Sequence, residues 1–257
     1  MAKSCKSILT FCIACTCLAL TTALPAAEPP TPAYPPPPAS EADLQKSARD
    51  LLGGADPTET KSGQPTTAPV SQLGFVRTSV FGIEDEGAKF VYVFDRSASM
   101  GSPKNRPIRA AQAELLKSLA PLGKVHQFYI IFYNQEPRFF QPGGERGKLI
   151  FANDQNKAAA EKFVTSIEPE GATNHYDALR LALQYRPDVI FLLTDGDATD
   201  DLAAADLDQL EKLNAGGAKI HVIQFTGERP TGPNLPELAK RHRGEFKSVK
   251  IADLPGE

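Results

Sequence analysis

Three short stretches carry oxygen donors at spacings that suit the chemistry of a hard cation. Asp95, Ser97 and Ser99 alternate in Asp95-Arg96-Ser97-Ala98-Ser99, Thr173 closes Gly171-Ala172-Thr173, and Asp195 is the centre of Thr194-Asp195-Gly196. The set offers two carboxylates and several hydroxyls, with no cysteine or histidine that must take part. Donors that are all oxygen suit Mg²⁺, Mn²⁺ or Ca²⁺ rather than zinc. Two carboxylates neutralise a divalent charge, and neutral hydroxyls and waters complete the shell. Mg²⁺ is octahedral and keeps waters, so one position is left for an incoming acidic ligand. Taken alone, Asp95 and the two serines could equally cap the helix that follows them.

Elements read from periodicity place these stretches together. Phe90-Val91-Tyr92-Val93-Phe94 is a run of apolar, β-favouring residues that ends in Asp95. Such a run reads as a strand buried on both faces, as in a parallel sheet. Further strands are expected at 125–133, 188–193, 219–225 and 245–250, with short edge pieces at 138–140 and 148–151. Helices are expected from Pro107 to Pro121 and over 154–167, 175–184, 202–213 and 234–242. Residues 75–81 read as an antiparallel edge strand that turns back through 82–87. The alternation predicts an α/β fold: a doubly wound, mostly parallel sheet with helices on both faces and one antiparallel edge strand. Ligands bind outside the carboxyl ends of strands in such sheets, which is where the three stretches fall.

With donors and elements in this order, the chain resembles the von Willebrand factor type A domain over residues 73–250. The D-x-S-x-S of that family's metal-ion-dependent adhesion site is matched by Asp95, Ser97 and Ser99, its later threonine by Thr173, and its T-D-G aspartate by Asp195. The resemblance implies a Rossmann-like fold and a bound divalent cation, Mg²⁺ first with Mn²⁺ or Ca²⁺ as alternatives. It also implies that the serines and threonine contact the ion directly or through water. The aspartates would act largely through water or by holding the hydroxyls. Two departures stand out. Ala98 replaces the glycine of many members, which restricts the loop slightly. Residues 251–257 form only a tail, where integrin inserted domains carry a further helix.

Composition bounds the rest. The 257 residues are 41% hydrophobic and 23% charged with a net charge of −3, which gives no electrostatic footprint for nucleic acid. All four cysteines lie at positions 5, 12, 15 and 17. They share that stretch with Lys3, Lys6 and an apolar run over 8–24. Residues 1–27 therefore read as a secretory signal peptide, with an uncleaved membrane anchor as the alternative. Cleavage would leave no cysteine and a net charge of about −5. Residues 28–72 read as a Pro-rich linker, eight prolines falling between positions 25 and 38. A short helix is expected over 41–52, with Leu44, Ala48, Leu51 and Leu52 on one face. That face would cover the groove a C-terminal helix occupies in other members, or a partner's helix would.

The expected function is a secreted, periplasmic or cell-surface binding module. It would hold a cation and use it to bind an acidic group of a protein partner, with a membrane tether through 8–24 as the alternative to release. The competing functions are a metal-assisted hydrolase and a structural or assembly subunit with an unused metal site. Catalysis is disfavoured because no G-x-S-x-G elbow is present and Ser97 and Ser99 have no nearby histidine in sequence. Arg96 has two readings, a salt bridge to the acidic 197–201 loop or a place facing a ligand. Asp197, Asp200 and Asp201 read as a solvated loop and the start of the next helix. His175 reads as an ordinary helix-start residue that could line the ligand face. His126 and His221 read as core residues, and His242 as part of a basic cluster at a helix end.

Overall fold

The computed structural model describes residues 74–144, 147–196, 198–227 and 231–255. The expected leader, linker and 41–52 helix lie outside the described residues. β3 (Lys89–Asp95), β4 (Gln127–Tyr133), β7 (Val189–Thr194), β8 (Lys219–Thr226) and β9 (Phe246–Lys250) are parallel neighbours in the order β4-β3-β7-β8-β9. Two short strands, β5 (Arg138–Phe139) and β6 (Ile150–Phe151), pair antiparallel with β4 and form that edge of the sheet.

Both faces of the sheet are covered, because successive side chains on a strand point to opposite sides. Phe90, Tyr92 and Phe94 of β3 and Phe128, Ile130 and Phe132 of β4 face one layer. That layer holds Ile108, Ala111 and Leu115 of α1 (Arg106–Leu119) and Ala160 and Val164 of α2 (Asp154–Thr165). Val91, Val93, Tyr129 and Ile131 face the other layer. It is closed by α3 (His175–Leu183), α4 (Ala204–Leu213) and α5 (Asn234–Arg241), through Leu179, Leu207, Leu210 and Leu238 among others. Among the described residues, two helices on one face and three on the other make the doubly wound α/β fold.

The antiparallel strand read at 75–81 differs from expectation in its partner. β1 (Val76–Val80) pairs with β2 (Ile83–Gly87) in a separate two-stranded hairpin, so 83–87 is a strand rather than a turn. Val80 opposes Ile83, leaving a two-residue loop in which Phe81 and Gly82 have φ of 49° and 77°. Both loop residues are left-handed, as a tight hairpin of this length requires. The acidic run Glu84-Asp85-Glu86 hid the strand by resembling a solvated loop, although Ile83 and Gly87 at its ends are buried.

The chain direction fixes where a ligand can sit. From β3 the chain crosses through α1 to β4 on one side, then through α2 and α3 to β7 on the other side of β3. The order reverses there, and the carboxyl ends of β3 and β7 open a crevice at that switch point. Leu254 lies in the segment read as a tail, just beyond a 3₁₀ turn over Ile251–Asp253, and is buried in the α1 layer. Arg106 at the start of α1 donates to the carbonyls of Ala252 and Leu254 and so holds that turn in place.

Candidate metal centre

β3 ends with Asp95 fully buried, and the chain then leaves the sheet in a tight turn. Asp95 Oδ1 accepts the Ser97 backbone N–H at 2.7 Å, which curls the loop over the carboxylate. Ser97 Oγ and Ser99 Oγ share a hydrogen bond at 3.0 Å, and Ser99 Oγ donates to Asp195 Oδ1 at 2.9 Å. Four of the five donors expected from sequence are therefore joined in one chain of contacts. Ser97 is buried and Ser99 exposed, so the set runs from the floor of the crevice to its rim. A 3₁₀ turn over Ala98–Gly101 follows, with no side-chain cap from Ser97. The helix-cap alternative for Asp95 and the serines therefore does not hold: α1 starts at Arg106, beyond their reach.

The fifth donor arrives differently. Thr173 is half-buried on the loop between α2 and α3. That loop is drawn to the β3 loop by the Ala98 N–H, which donates to the Gly171 carbonyl at 2.9 Å. The Thr173 side chain enters none of the bonds that connect Asp95, Ser97, Ser99 and Asp195. Asn174 accepts the Asp177 N–H at 3.1 Å, so Thr173 is the residue just before a capped helix start.

Residues outside the five-donor set support the floor. Thr194 Oγ1 donates to Asp95 Oδ2 at 2.6 Å and accepts the Gly196 N–H at 2.8 Å, fixing the turn that presents Asp195. Gln224, paired in register with Thr194, donates to the Gly196 carbonyl at 2.6 Å. Tyr133, in register with Asp95, shares a 2.8 Å hydrogen bond with His175 Nδ1. His175 is buried at the start of α3, so it lies beneath the loops and does not line the ligand face. Burial pulls its pKa down to about 4, which keeps it neutral. The available signal was register: Thr194 and Tyr133 end the strands on either side of β3, level with Asp95.

Electrostatics fit a cation. Burial pushes the Asp95 carboxyl up to about 7, the Thr194 hydroxyl opposes this, and the neighbouring Asp195 carboxylate adds to it. Burial likewise raises Asp195, with Ser99 opposing. None of the groups acting most on either carboxylate is cationic. Arg96, between them in sequence, turns away and ion-pairs with Glu170 at 2.7 Å. Among the described residues its side chain bonds only to 134–136 and 168–170, in place of the acidic loop or the crevice that the two readings of Arg96 gave it.

Among the described residues no three His, Cys, Asp or Glu side chains gather as a metal-ligand cluster. Any cation in this crevice would accordingly rest on two carboxylates supplemented by hydroxyls, a donor set for a hard ion. Neither serine has a histidine partner, so the arrangement of a nucleophile with its base is missing from this set.

The acidic loop after β7 is also clarified. Asp201 accepts the Leu202 N–H at 3.0 Å and the Asn234 N–H at 2.9 Å, thereby binding the start of α5. α4 begins only at Ala204, where Asp206 accepts the Ala203 N–H at 2.9 Å. Asp197 lies outside the described residues.

No protein-family model matches the chain. Among curated proteins, the bovine (Bos taurus) and human inter-alpha-trypsin inhibitor heavy chain H4 are each 31% identical over 122 residues, 42% of this chain. The chain spans only 12% of the length of those relatives. Among solved structures, a von Willebrand factor type A protein from Catenulispora acidiphila aligns with a TM-score of 0.56 at 22% identity. It covers 68% of this chain and 45% of that one. Proximal thread matrix protein 1 from the mussel byssus aligns with a TM-score of 0.50 at 18% identity, covering 64% and 42%. At such identities the likeness is one of fold: the described domain has the von Willebrand factor type A fold.

Proposed function

We propose that this domain is a binding module that holds a divalent cation, Mg²⁺ first among the candidates, through Asp95, Ser97, Ser99, Thr173 and Asp195. The cation in turn grips an acidic group of a protein partner. The observation that carries this reading is the pair of carboxylates at the switch point, Asp95 buried and Asp195 half-buried, with Asp195 raising Asp95 and no cationic side chain, among the described residues, in the groups that act most on either. Buried charge without compensation is costly, and a protein gains by binding the ion that removes the cost. A divalent ion bound there would be neutralised by the two carboxylates and would keep a coordination position for a further oxygen ligand. Asp95 provides charge from the floor while Thr194 and the Ser97 amide, one on each oxygen, fix the orientation of its carboxylate. Ser99 and Asp195 stand at the rim, where a partner's carboxylate can approach. The curated relatives are, by name, heavy chains of an inhibitor, which supports binding over catalysis.

We place the protein outside the cytoplasm, with residues 1–27 as the leader and 28–72 as the spacer that carries the domain away from a membrane or wall. The test is the melting temperature of the full chain in EDTA and then with Mg²⁺, Mn²⁺ or Ca²⁺. An ion that binds only the folded form stabilises it by about 2.7 kcal/mol at a hundred times its dissociation constant. A rise that is lost in Asp95→Asn and reduced in Thr173→Ala supports the site. No rise with any of the three ions would overturn it. Acetate or a glutamate-containing peptide, titrated with and without the ion, then tests the grip on carboxylates.

A further inference from the structure

We propose that Arg96 is a positioning residue for the cation site, holding Thr173 in reach of donors to which it is not itself bonded. This rests on the reading of the crevice as a cation centre. Arg96 sits between two donors in sequence, but alternation along the extended chain sends its side chain to the opposite side from Asp95 and Ser97. Its side chain is only 4% exposed.

A buried guanidinium needs acceptors, and Arg96 finds them on two loops. Nη1 donates to Glu170 Oε1 at 2.7 Å and to the Glu168 carbonyl at 3.4 Å. Nη2 donates to the Glu136 carbonyl at 3.0 Å and to Asn134 Oδ1 at 3.3 Å. The main chain adds to this, with the Arg96 N–H on the Tyr133 carbonyl at 2.8 Å and the Glu170 N–H on the Arg96 carbonyl at 2.7 Å. Asn134 Nδ2, fixed by the same group, donates to the Glu170 carbonyl at 2.7 Å. The chain then passes Asn134 at Gly171, whose φ is +75° and where a Cβ would lie 2.9 Å from Asn134 Nδ2. Two residues later comes Thr173.

The planar fork is what this arrangement uses. Four acceptors in two directions suit a guanidinium, whereas an ammonium is a point charge that cannot span them. The ion pair itself contributes less, because the Glu170 side chain is 63% exposed and such pairs are screened. The order of contacts therefore sets out a division of roles. Asp95, Ser97, Ser99 and Asp195 hold one another, while Thr173 depends on a clamp on the far side of the β3 loop.

The experiment is a double-mutant cycle in the full chain, with Mg²⁺ and Mn²⁺ affinities measured by titration calorimetry at a temperature where every variant is folded. Arg96→Lys and Arg96→Met should each weaken the ion by roughly 10–100-fold, as loss of an outer-shell support does elsewhere. Glu170→Gln should change it by less than about threefold. Combining Arg96→Lys with Thr173→Ala should bind no more weakly than Thr173→Ala alone, since the support acts through the residue already removed.

A purely structural strut would lower the melting temperature in EDTA and leave the affinity of the folded protein unchanged. That result, or full additivity in the double variant, overturns the proposal. Should Arg96→Met not fold, Arg96→Lys carries the cycle alone. Failure of the unmutated chain to bind either ion overturns the cation reading itself, and is seen before any variant is made.

Discussion

Asp85 and Asp95 are aspartates withdrawn from solvent at opposite ends of the sheet, and they are treated in opposite ways. Asp85, on β2, has a side chain only 9% exposed and receives the Lys219 ammonium at 2.7 Å and His221 Nε2 at 2.7 Å. His221 is held in turn by the Glu245 N–H on its Nδ1 and by stacking on Phe191. Burial pulls the Asp85 pKa up, but the Lys219 and His221 contacts outweigh it and the net shift is downward. Asp95 is fully buried, meets hydroxyl and amide donors and a second carboxylate, and is pushed up to about 7. One end of the sheet compensates its acid from within the chain. The other has no cation among the groups acting most on its acid, and in the proposed function a bound ion supplies the compensation. The difference separates a structural carboxylate from a receptive one where burial alone does not.

The contrast is broken most strongly by exchanging what each acid loses. Asp85→Ala leaves a buried imidazole and an ammonium without their acceptor. The cost expected in urea unfolding is about 2–3 kcal/mol, below that of a fully buried pair because Lys219 is partly exposed. Its response to Mg²⁺ should be intact. Asp95→Asn should do the reverse, with no loss larger than about 1 kcal/mol in EDTA at pH 7.5 and no response to the ion. Equal destabilisation by both would erase the distinction.

Acidity sharpens the comparison next. Between its ordinary value and about 7 the folded form keeps a proton on Asp95 that the unfolded chain has released. Stability in EDTA should then fall as pH rises from about 4 to about 7, by at most about 1.4 kcal/mol per unit. Asp85, shifted downward, contributes stability that is present above the ordinary carboxylate range and lost as pH falls through it. Melting temperatures across pH 3–8 should therefore show both limbs. Mg²⁺ should lift only the neutral one, because proton and cation compete for the same carboxylate.

Smaller effects probe the packing around the receptive end. A Cβ on Gly196 would lie 3.0 Å from His175 Nε2 and 3.1 Å from Thr194 Oγ1. Gly196→Ala should destabilise by about 1–2 kcal/mol through overpacking and weaken the ion by displacing Thr194 from Asp95. Ser99→Ala, at the exposed rim, should shift stability by less than about 0.5 kcal/mol. Its effect should be confined to ion affinity as measured by calorimetry.

Much of this architecture was legible in the chain. Phe90–Phe94 and 189–193 are short, uniformly apolar runs and 219–225 a short run rich in β-favouring residues, and they are β3, β7 and β8. The helices over 107–121 and 154–167 announced themselves through spacing and, for the first, a proline near its start; the structure adds Asn153 as the cap of the second. What escaped was less regular. Ile83–Gly87 is a strand whose outward positions are acidic, so its alternation was hidden behind charge. Arg96 had two plausible targets in sequence and its described bonds go elsewhere, because its direction follows from strand alternation and its acceptors lie on two distant loops, half of them main-chain carbonyls. Those carry no sequence signature.

The sequence by itself determined the donor types, their order and the ends of the strands that bear them, since periods of two and 3.6 residues are local properties that residue types report directly. Only the tertiary structure decided which acid would be compensated. Asp85 and His221 are 136 positions apart, Thr194 and Asp95 are 99 apart, and Arg96 and Glu170 are 74 apart. Contacts at such separation depend on strand order, register and loop direction, and on the exclusion of water that gives a paired or unpaired charge its energetic weight.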